Sequence, residues 1–156
     1  MAALVVHGLE GIRALIGHDF PPTPWIKLSQ RKIDAFAACT GDNQWPHVDV
    51  NRARNSTFGS TIAHGYLILS LVPMLWHQAC NVLDTAVTIN YGIDRLRFTS
   101  HVESGSEIRA RFQIIDARDS AHGLRTTLRV TIEKRHASKP ACVGDIIFLF
   151  QPFGSE

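Results

Sequence analysis

The first third of the chain has the apolar spacing of short helices separated by loops. Residues 9–16 are a short helix candidate, and a proline cluster at 21–24 separates them from a short strand predicted at 25–28. Ser29 is a candidate N-cap, and Gly41 is a candidate helix end. Between them, four side chains recur at the i, i+3, i+4 and i+7 positions that share one helix face: Ile33, Phe36, Ala37 and Thr40.

The segment 63–78 differs because its apolar residues cover every side of the predicted helix. A helix that is apolar all round is buried on all sides. Pro73 lies inside this segment and has no backbone N–H, so we expect a kink there, or a carbonyl of Leu69 that needs another partner. The pattern therefore predicts one central, fully buried helix.

From residue 85 onward the apolar period changes to two, which is the period of a half-buried strand. Three alternating strands and a more continuously apolar one are predicted near 87–91, 108–114, 124–132 and 142–150. Four long strands, each with one solvent-exposed face, predict an antiparallel sheet. One buried helix followed by such a sheet indicates an α+β fold, with an antiparallel β-sheet wrapped around a long central α-helix.

Composition and charge narrow the class of protein. The chain has 156 residues, 45% of them hydrophobic and 19% charged, which predicts a single globular domain over 1–156. A formal net charge of +2 is too small to predict a nucleic-acid partner. No apolar run approaches the roughly 18 residues that span a bilayer, and the N-terminus lacks the basic region of a signal peptide. Because three widely spaced cysteines imply no disulfide framework, we expect a cytoplasmic protein with no membrane partner.

A first polar cluster, Thr40-Gly-Asp-Asn-Gln-Trp-Pro-His47, follows the end of a predicted helix. It places the Asp42 carboxylate and the His47 imidazole on a loop between two helices, the second of which Asp49 is expected to cap. An aspartate and a histidine are the usual proton-transfer pair near neutral pH. From these residues alone, the alternative that Asp42 and Asn43 only satisfy backbone groups at a helix end stays open.

A second polar cluster, Ile62-Ala-His-Gly65, stands at the start of the predicted central helix. The N–H groups at a helix start lack intrahelical partners, so they can hold a carbonyl oxygen that gains negative charge. Alternatively, Gly65 only allows close packing, and Ser70 bonds the carbonyl one turn back; a functional Ser70 would have to orient one of the catalytic pair. No histidine has a zinc-like spacing to a cysteine or carboxylate, so no metal is expected.

In this order, and followed by these strands, the two clusters resemble the MaoC-like dehydratases, the family of (R)-specific enoyl-CoA hydratases (hydratase 2). The likeness runs from about Ser29 to Phe150. The family signature of a glycine, the catalytic aspartate, an asparagine, a proline, an aliphatic residue and the catalytic histidine stands here as Gly41-Asp42-Asn43-Gln44-Trp45-Pro46-His47. Gln44 replaces the usual asparagine and Trp45 the usual proline. With Ile89-Asn-Tyr-Gly92 downstream, Gln44 makes the chain similar to the NodN-like branch.

The resemblance implies a hot-dog fold, with 63–78 as the central helix, and a homodimer that joins two sheets edge to edge. It implies reversible syn addition of water to trans-2-enoyl-CoA, which gives (R)-3-hydroxyacyl-CoA. Asp42 and His47 would be the catalytic pair that holds the water, and Gly65 with His64 would bind the thioester. Supporting roles fall to Ser70, Gln44 and Asn43. No cofactor is implied, because coenzyme A is part of the acyl-CoA thioester substrate.

Two other functions share this fold. A hot-dog acyl-CoA thioesterase generally carries a carboxylate along the central helix, and 63–78 contains no Asp or Glu. A non-catalytic acyl-binding partner subunit would have no need of Asp42, His47 and Gly65 together. Both remain alternatives to the hydratase.

Overall fold

A computed structural model describes residues 2–154, with helices in the first half of the chain and long strands in the second. The strands are β1 (Leu4–His7), β2 (Ile26–Lys27), β3 (Cys80–Leu83), β4 (Val87–Phe98), β5 (Glu107–Ser120), β6 (Gly123–Lys134) and β7 (Cys142–Gln151). The helices are α1 (Gly8–Arg13), α2 (Gln30–Thr40), α3 (Trp45–Val48), α4 (Val50–Arg54), α5 (Gly65–Ser70) and α6 (Val72–Ala79). Among the described residues, no helix combines the length and apolar character needed to cross a membrane.

The main sheet has five strands in the order β2-β5-β6-β7-β4, and all neighbouring pairs are antiparallel. Helices α5 and α6 pack against it, α6 on β5 and α5 on β7. This arrangement confirms the α+β prediction. A second, two-stranded parallel sheet of β1 and β3 was not predicted, because both strands are four residues long and directly adjoin a helix.

The core lies between the sheet and the helix pair. Trp76 of α6 is 1% exposed. Its indole makes edge contacts with Phe20 and Phe112, at centroid distances of 5.1 and 5.4 Å, and a tilted contact with Phe148 at 6.3 Å. Such aromatic pairs add specificity to the burial of a large apolar area. The apolar residues that alternate along β5 and β6 face this core, as the period of two predicts.

The central helix is broken rather than continuous. Leu71 joins α5 to α6, and Pro73 stands in the first turn of α6. Because Pro73 has no N–H to offer the carbonyl of Leu69, the predicted interruption is confirmed. The expectation of burial on every side was wrong. Tyr66 and Met74 are 70% and 40% exposed, since the sheet covers only one side of the helix pair.

Strand β4 also departs from its predicted burial. Its apolar residues alternate as expected, but they are exposed: Val87, Ile89, Tyr91 and Ile93. Strand β4 is an edge strand that pairs only with β7, and among the described residues nothing buries its apolar side. The edge strand and the exposed side of the helix pair therefore leave apolar surface open to solvent.

Candidate active site

The segment that carries the first polar cluster begins at the end of α2. Gly41 has φ of 77° and ends the helix in the left-handed conformation, with its N–H bonded to the Ala37 carbonyl at 2.8 Å. Ser29 occupies the N-cap position at the other end, although its side chain makes no capping hydrogen bond. Pro46 in the first turn of α3 places His47 on a short helix, whereas the sequence predicted a loop.

The His47 imidazole is fixed by a backbone carbonyl. Its Nδ1 lies 2.8 Å from the carbonyl oxygen of Ile62. A carbonyl oxygen only accepts hydrogen bonds, so Nδ1 carries the proton and donates it. In the neutral ring, Nε2 therefore holds the lone pair and is free to accept a proton.

Asp42 is half-buried and held by its neighbours. Its Oδ1 accepts a hydrogen bond from Gln44 Nε2 at 3.3 Å, and its backbone N–H donates to Thr40 Oγ1 at 3.4 Å. Its carbonyl oxygen accepts from Nε2 of His64 at 2.9 Å. Gln44, one of the three predicted supporting residues, thus contacts the Asp42 carboxylate directly. Asn43 makes only a local turn contact, from Nδ2 to the Gly41 carbonyl at 3.3 Å.

His64 links the two polar clusters. It is 3% exposed and precedes the first residue of α5. Its ring stacks on the ring of His47, with centroids 3.7 Å apart and planes inclined by 25°. Because Nε2 donates to the Asp42 carbonyl, Nδ1 is an acceptor, and it is buried with no hydrogen-bond partner among the described residues.

Three titratable side chains thus converge. A carboxylate oxygen of Asp42 and one ring nitrogen each of His47 and His64 all lie within 4.8 Å of one another. A water molecule that makes two hydrogen bonds of about 2.8 Å at a tetrahedral angle joins atoms about 4.6 Å apart. Histidine and aspartate are also zinc ligands. However, imidazole lone pairs lie in the ring plane, so two stacked rings direct theirs side by side rather than at one ion. The stacking of the two rings therefore suits a bridging water better than a metal ion.

Gly65 is placed by close packing. A Cβ atom on this residue would stand 2.8 Å from two ring carbons of Phe98, which is closer than side-chain carbons approach. As the first residue of α5, Gly65 has an N–H with no acceptor inside the helix. Gly65 thus admits the Phe98 ring, and its N–H lies at the start of α5 next to His64.

The expectation that Ser70 orients Asp42 does not fit the structure. The hydrogen bond that Ser70 Oγ makes goes to the Leu67 carbonyl, at 2.8 Å. This is the bond to the preceding turn that serines commonly make inside helices. The side chain bonded to the Asp42 carboxylate is Gln44.

Comparisons with known proteins identify the family of this chain. The family model of the MaoC-like domain matches residues 12–136. The chain belongs to the MaoC-like dehydratase family. It is 38% identical over 137 residues to 3-hydroxyacyl-thioester dehydratase Z of Mycobacterium tuberculosis, covering 87% of this chain and 91% of that protein. It is also 38% identical over 146 residues to Nodulation protein N of Rhizobium meliloti, covering 92% and 91%.

The fold comparison extends to solved structures. The (R)-hydratase from A. caviae, which is involved in PHA biosynthesis, superposes with a TM-score of 0.70 at 25% identity, covering 86% of this chain and 95% of the other. The hot-dog fold of this MaoC-like chain is thereby confirmed, as are the family and its NodN-like character.

The sequence did not point to two residues of the site. Gln30, the first residue of α2, bonds the His47 backbone, and Phe98 packs on Gly65. Neither stands within a motif, and both reach the site only because the fold brings α2 and β4 to it. A polar residue at a helix start and an aromatic residue at a strand end carry no signal of their own.

Proposed function

We propose that this MaoC-like protein is an (R)-specific enoyl-CoA hydratase. It would add water reversibly, in syn fashion, to trans-2-enoyl-CoA and give (R)-3-hydroxyacyl-CoA. The observation that carries the proposal is the fixed tautomer of His47. Its Nδ1 is occupied by the Ile62 carbonyl, which leaves Nε2 free, and a nitrogen of the same ring lies within 4.8 Å of an Asp42 carboxylate oxygen.

In the proposed reaction, Asp42 and His47 hold one water between them. The water oxygen bonds to C3 of the enoyl group while its proton passes to His47 Nε2, and Asp42 in its acid form delivers a proton to C2. One water is thereby added, and the pair returns to its starting state when His47 passes its proton back to Asp42.

The thioester oxygen gains enolate character as C3 is attacked. The free N–H of Gly65 is the donor that we assign to this oxygen, and a donor aimed at developing charge lowers the barrier. His64 holds the Asp42 carbonyl and stacks on His47, so it keeps the pair together. The thioester activates the double bond, so the proposed chemistry uses no metal or redox cofactor, and coenzyme A enters with the substrate.

The names of the relatives support this reaction class. The M. tuberculosis relative is named a 3-hydroxyacyl-thioester dehydratase, and dehydration is the reverse of hydration. The A. caviae neighbour is named an (R)-hydratase. The particular acyl-CoA and the (R) configuration are proposed for this chain from that likeness and from the site.

We propose that a second copy of the chain covers the exposed apolar surface. The edge strand β4 exposes Ile89 and Tyr91 by 38% and 57%, and Tyr66 and Met74 expose the nearby side of the helix pair. Sheet edges and apolar patches of this kind are commonly covered by association. Light scattering of the purified protein should give twice the chain mass, and Ile89→Lys should shift it to a monomer. A monomeric wild type would refute the homodimer.

The test of function is the hydration of crotonyl-CoA by the purified protein. We expect the enoyl-thioester absorbance to fall with no release of free thiol, and the product to be oxidised by an (R)-specific but not an (S)-specific 3-hydroxyacyl-CoA dehydrogenase. Thiol release would instead indicate a thioesterase. Inactivity on crotonyl-CoA and on longer enoyl chains would leave the non-catalytic acyl-binding subunit.

A further inference from the structure

The backbone behind His47 is held by a side chain that lies outside both sequence motifs. Gln30 stands at the start of α2, and its amide reaches α3 and the loop before the second polar cluster. We propose that Gln30 is a positioning residue for His47, which fixes where Nε2 points. This inference rests on the proposed hydratase function.

Gln30 uses its whole amide in three hydrogen bonds. Nε2 donates to the His47 carbonyl at 2.8 Å and to Asp34 Oδ1 at 2.8 Å. Oε1 accepts from the Thr61 hydroxyl at 2.5 Å. The partners fix the orientation of the amide, because a carbonyl and a carboxylate can only accept, and a flipped amide would present an oxygen to both.

Through its hydrogen bond with Thr61, Gln30 is also connected to the segment that orients the His47 ring. Thr61 is 3% exposed, so its hydroxyl needs a protein partner, and Gln30 supplies one. The next residue, Ile62, donates its N–H to the Pro46 carbonyl at 2.9 Å and accepts the ring Nδ1–H of His47 at 2.8 Å. Gln30 therefore connects the His47 main chain to the very segment that orients the His47 ring.

Such a connection bears on catalysis because proton transfer depends on position. A displacement of about 1 Å in a reacting group can cost about 10²-fold in rate. Gln30 bonds the His47 carbonyl, and its described hydrogen bonds include none to Gly65 or His64, to which binding of the thioester is assigned. Its loss should therefore reduce turnover while leaving substrate binding largely intact.

The test compares Gln30→Met with wild type in crotonyl-CoA hydration. Methionine keeps the length and the helix propensity but removes all three hydrogen bonds. We expect kcat to fall about 10- to 100-fold while KM stays within about twofold. Gln113→Met, the same substitution on β5, and Asp34→Asn, which keeps an acceptor for Gln30, should both stay within about twofold of wild type.

A double-mutant cycle with Thr61→Val shows whether the two residues act as one unit. Thr61→Val alone should lower kcat, and Gln30→Met/Thr61→Val should cost no more than Gln30→Met. In parallel, NMR of the imidazole nitrogens should show the Nδ1–H signal of His47 shifted or broadened in Gln30→Met and unchanged in Gln113→Met.

The outcomes are distinct. A variant that loses stability but keeps kcat, or one that raises KM alone, would overturn the positioning role. An unchanged Nδ1–H signal in Gln30→Met would also overturn it, even if the wild type hydrates no enoyl-CoA. If the wild type is inactive but the Nδ1–H signal of His47 is shifted in Gln30→Met, the proposed function is refuted and the positioning of His47 by Gln30 is supported.

Discussion

The contact between Gly65 and Phe98 makes a demanding prediction for Gly65→Ala. The added methyl would stand 2.8 Å from the Phe98 ring carbons, about 0.6 Å short of the 3.4 Å at which ordinary contact begins. The backbone of Gly65 is not in the left-handed region, so an alanine is acceptable there except for this contact. Either the Phe98 ring or the start of α5 must move.

The magnitude follows from which of the two moves. Phe98 is 43% exposed, so its ring can move partly, and overpacking of this kind costs typically 1–3 kcal/mol of stability. The remaining displacement falls on the Gly65 N–H that we assign to the thioester oxygen. Loss of one such donor costs about 10²- to 10³-fold in kcat. We therefore expect Gly65→Ala to stay folded and to lose about 10²-fold in turnover.

The assay is crotonyl-CoA hydration with thermal unfolding in parallel. Gly65→Ala/Phe98→Ala removes the ring that the methyl meets, so it should recover at least about tenfold of the lost rate. Gly92→Ala is the matched control, because its Cβ would meet only Ile147 Cδ1 at an ordinary 3.7 Å. Full activity of Gly65→Ala would refute the role of this N–H. A loss that removal of Phe98 does not relieve would refute the contact as its cause.

Two further predictions concern stability and reactivity. Burial raises the pKa of the Cys80 and Cys142 thiols to about 11, so both stay protonated at pH 8, and native protein should alkylate quickly only at the exposed Cys39; fast labelling of all three would contradict this. Burial raises the pKa of Glu133, but the hydrogen bonds and charges of Arg111 and Arg109 outweigh it and hold that pKa below 4.5. Because the pKa of Glu133 is lowered in the folded state, its ionised carboxylate stabilises the fold above pH 4.5. This stabilisation is lost as the pH falls through the folded-state pKa. Urea unfolding of Glu133→Gln should show a deficit at pH 7 that shrinks below pH 4.5, and a deficit that grows on acidification would contradict this.

The spacing of apolar residues predicted most helices and strands of this fold, because the side of each element that packs on the core repeats with that element's own period. The helix that ends at Gly41, the interruption at Pro73 and the strands β5 to β7 were all predicted from spacing and backbone chemistry. The exposed apolar side of β4 was not, because periodicity shows which residues share a face and not what covers that face.

The features of the site also fall into those that the sequence predicted and those that only the fold reveals. Asp42 and His47 are only five positions apart in the sequence, so their pairing was visible in the motif. His64 bonds the Asp42 carbonyl, and Gln30 bonds the His47 carbonyl. Both bonds join segments that are far apart along the chain, so only the fold brings them together. For Ser70 the sequence left two interpretations open, because a hydroxyl on a helix can bond either a distant carboxylate or its own preceding turn, and in the structure Ser70 bonds that turn.

The central claim is that Asp42 and His47 transfer the protons of an added water. The most direct measurement is the rate of crotonyl-CoA hydration by wild type, Asp42→Asn and the control Asp19→Asn, with folding checked by circular dichroism. Asparagine keeps the shape of Asp42 but neither releases nor takes up a proton, so we expect kcat to fall about 10²- to 10⁴-fold. Asp19→Asn should match wild type. A folded Asp42→Asn protein with wild-type turnover would contradict the account.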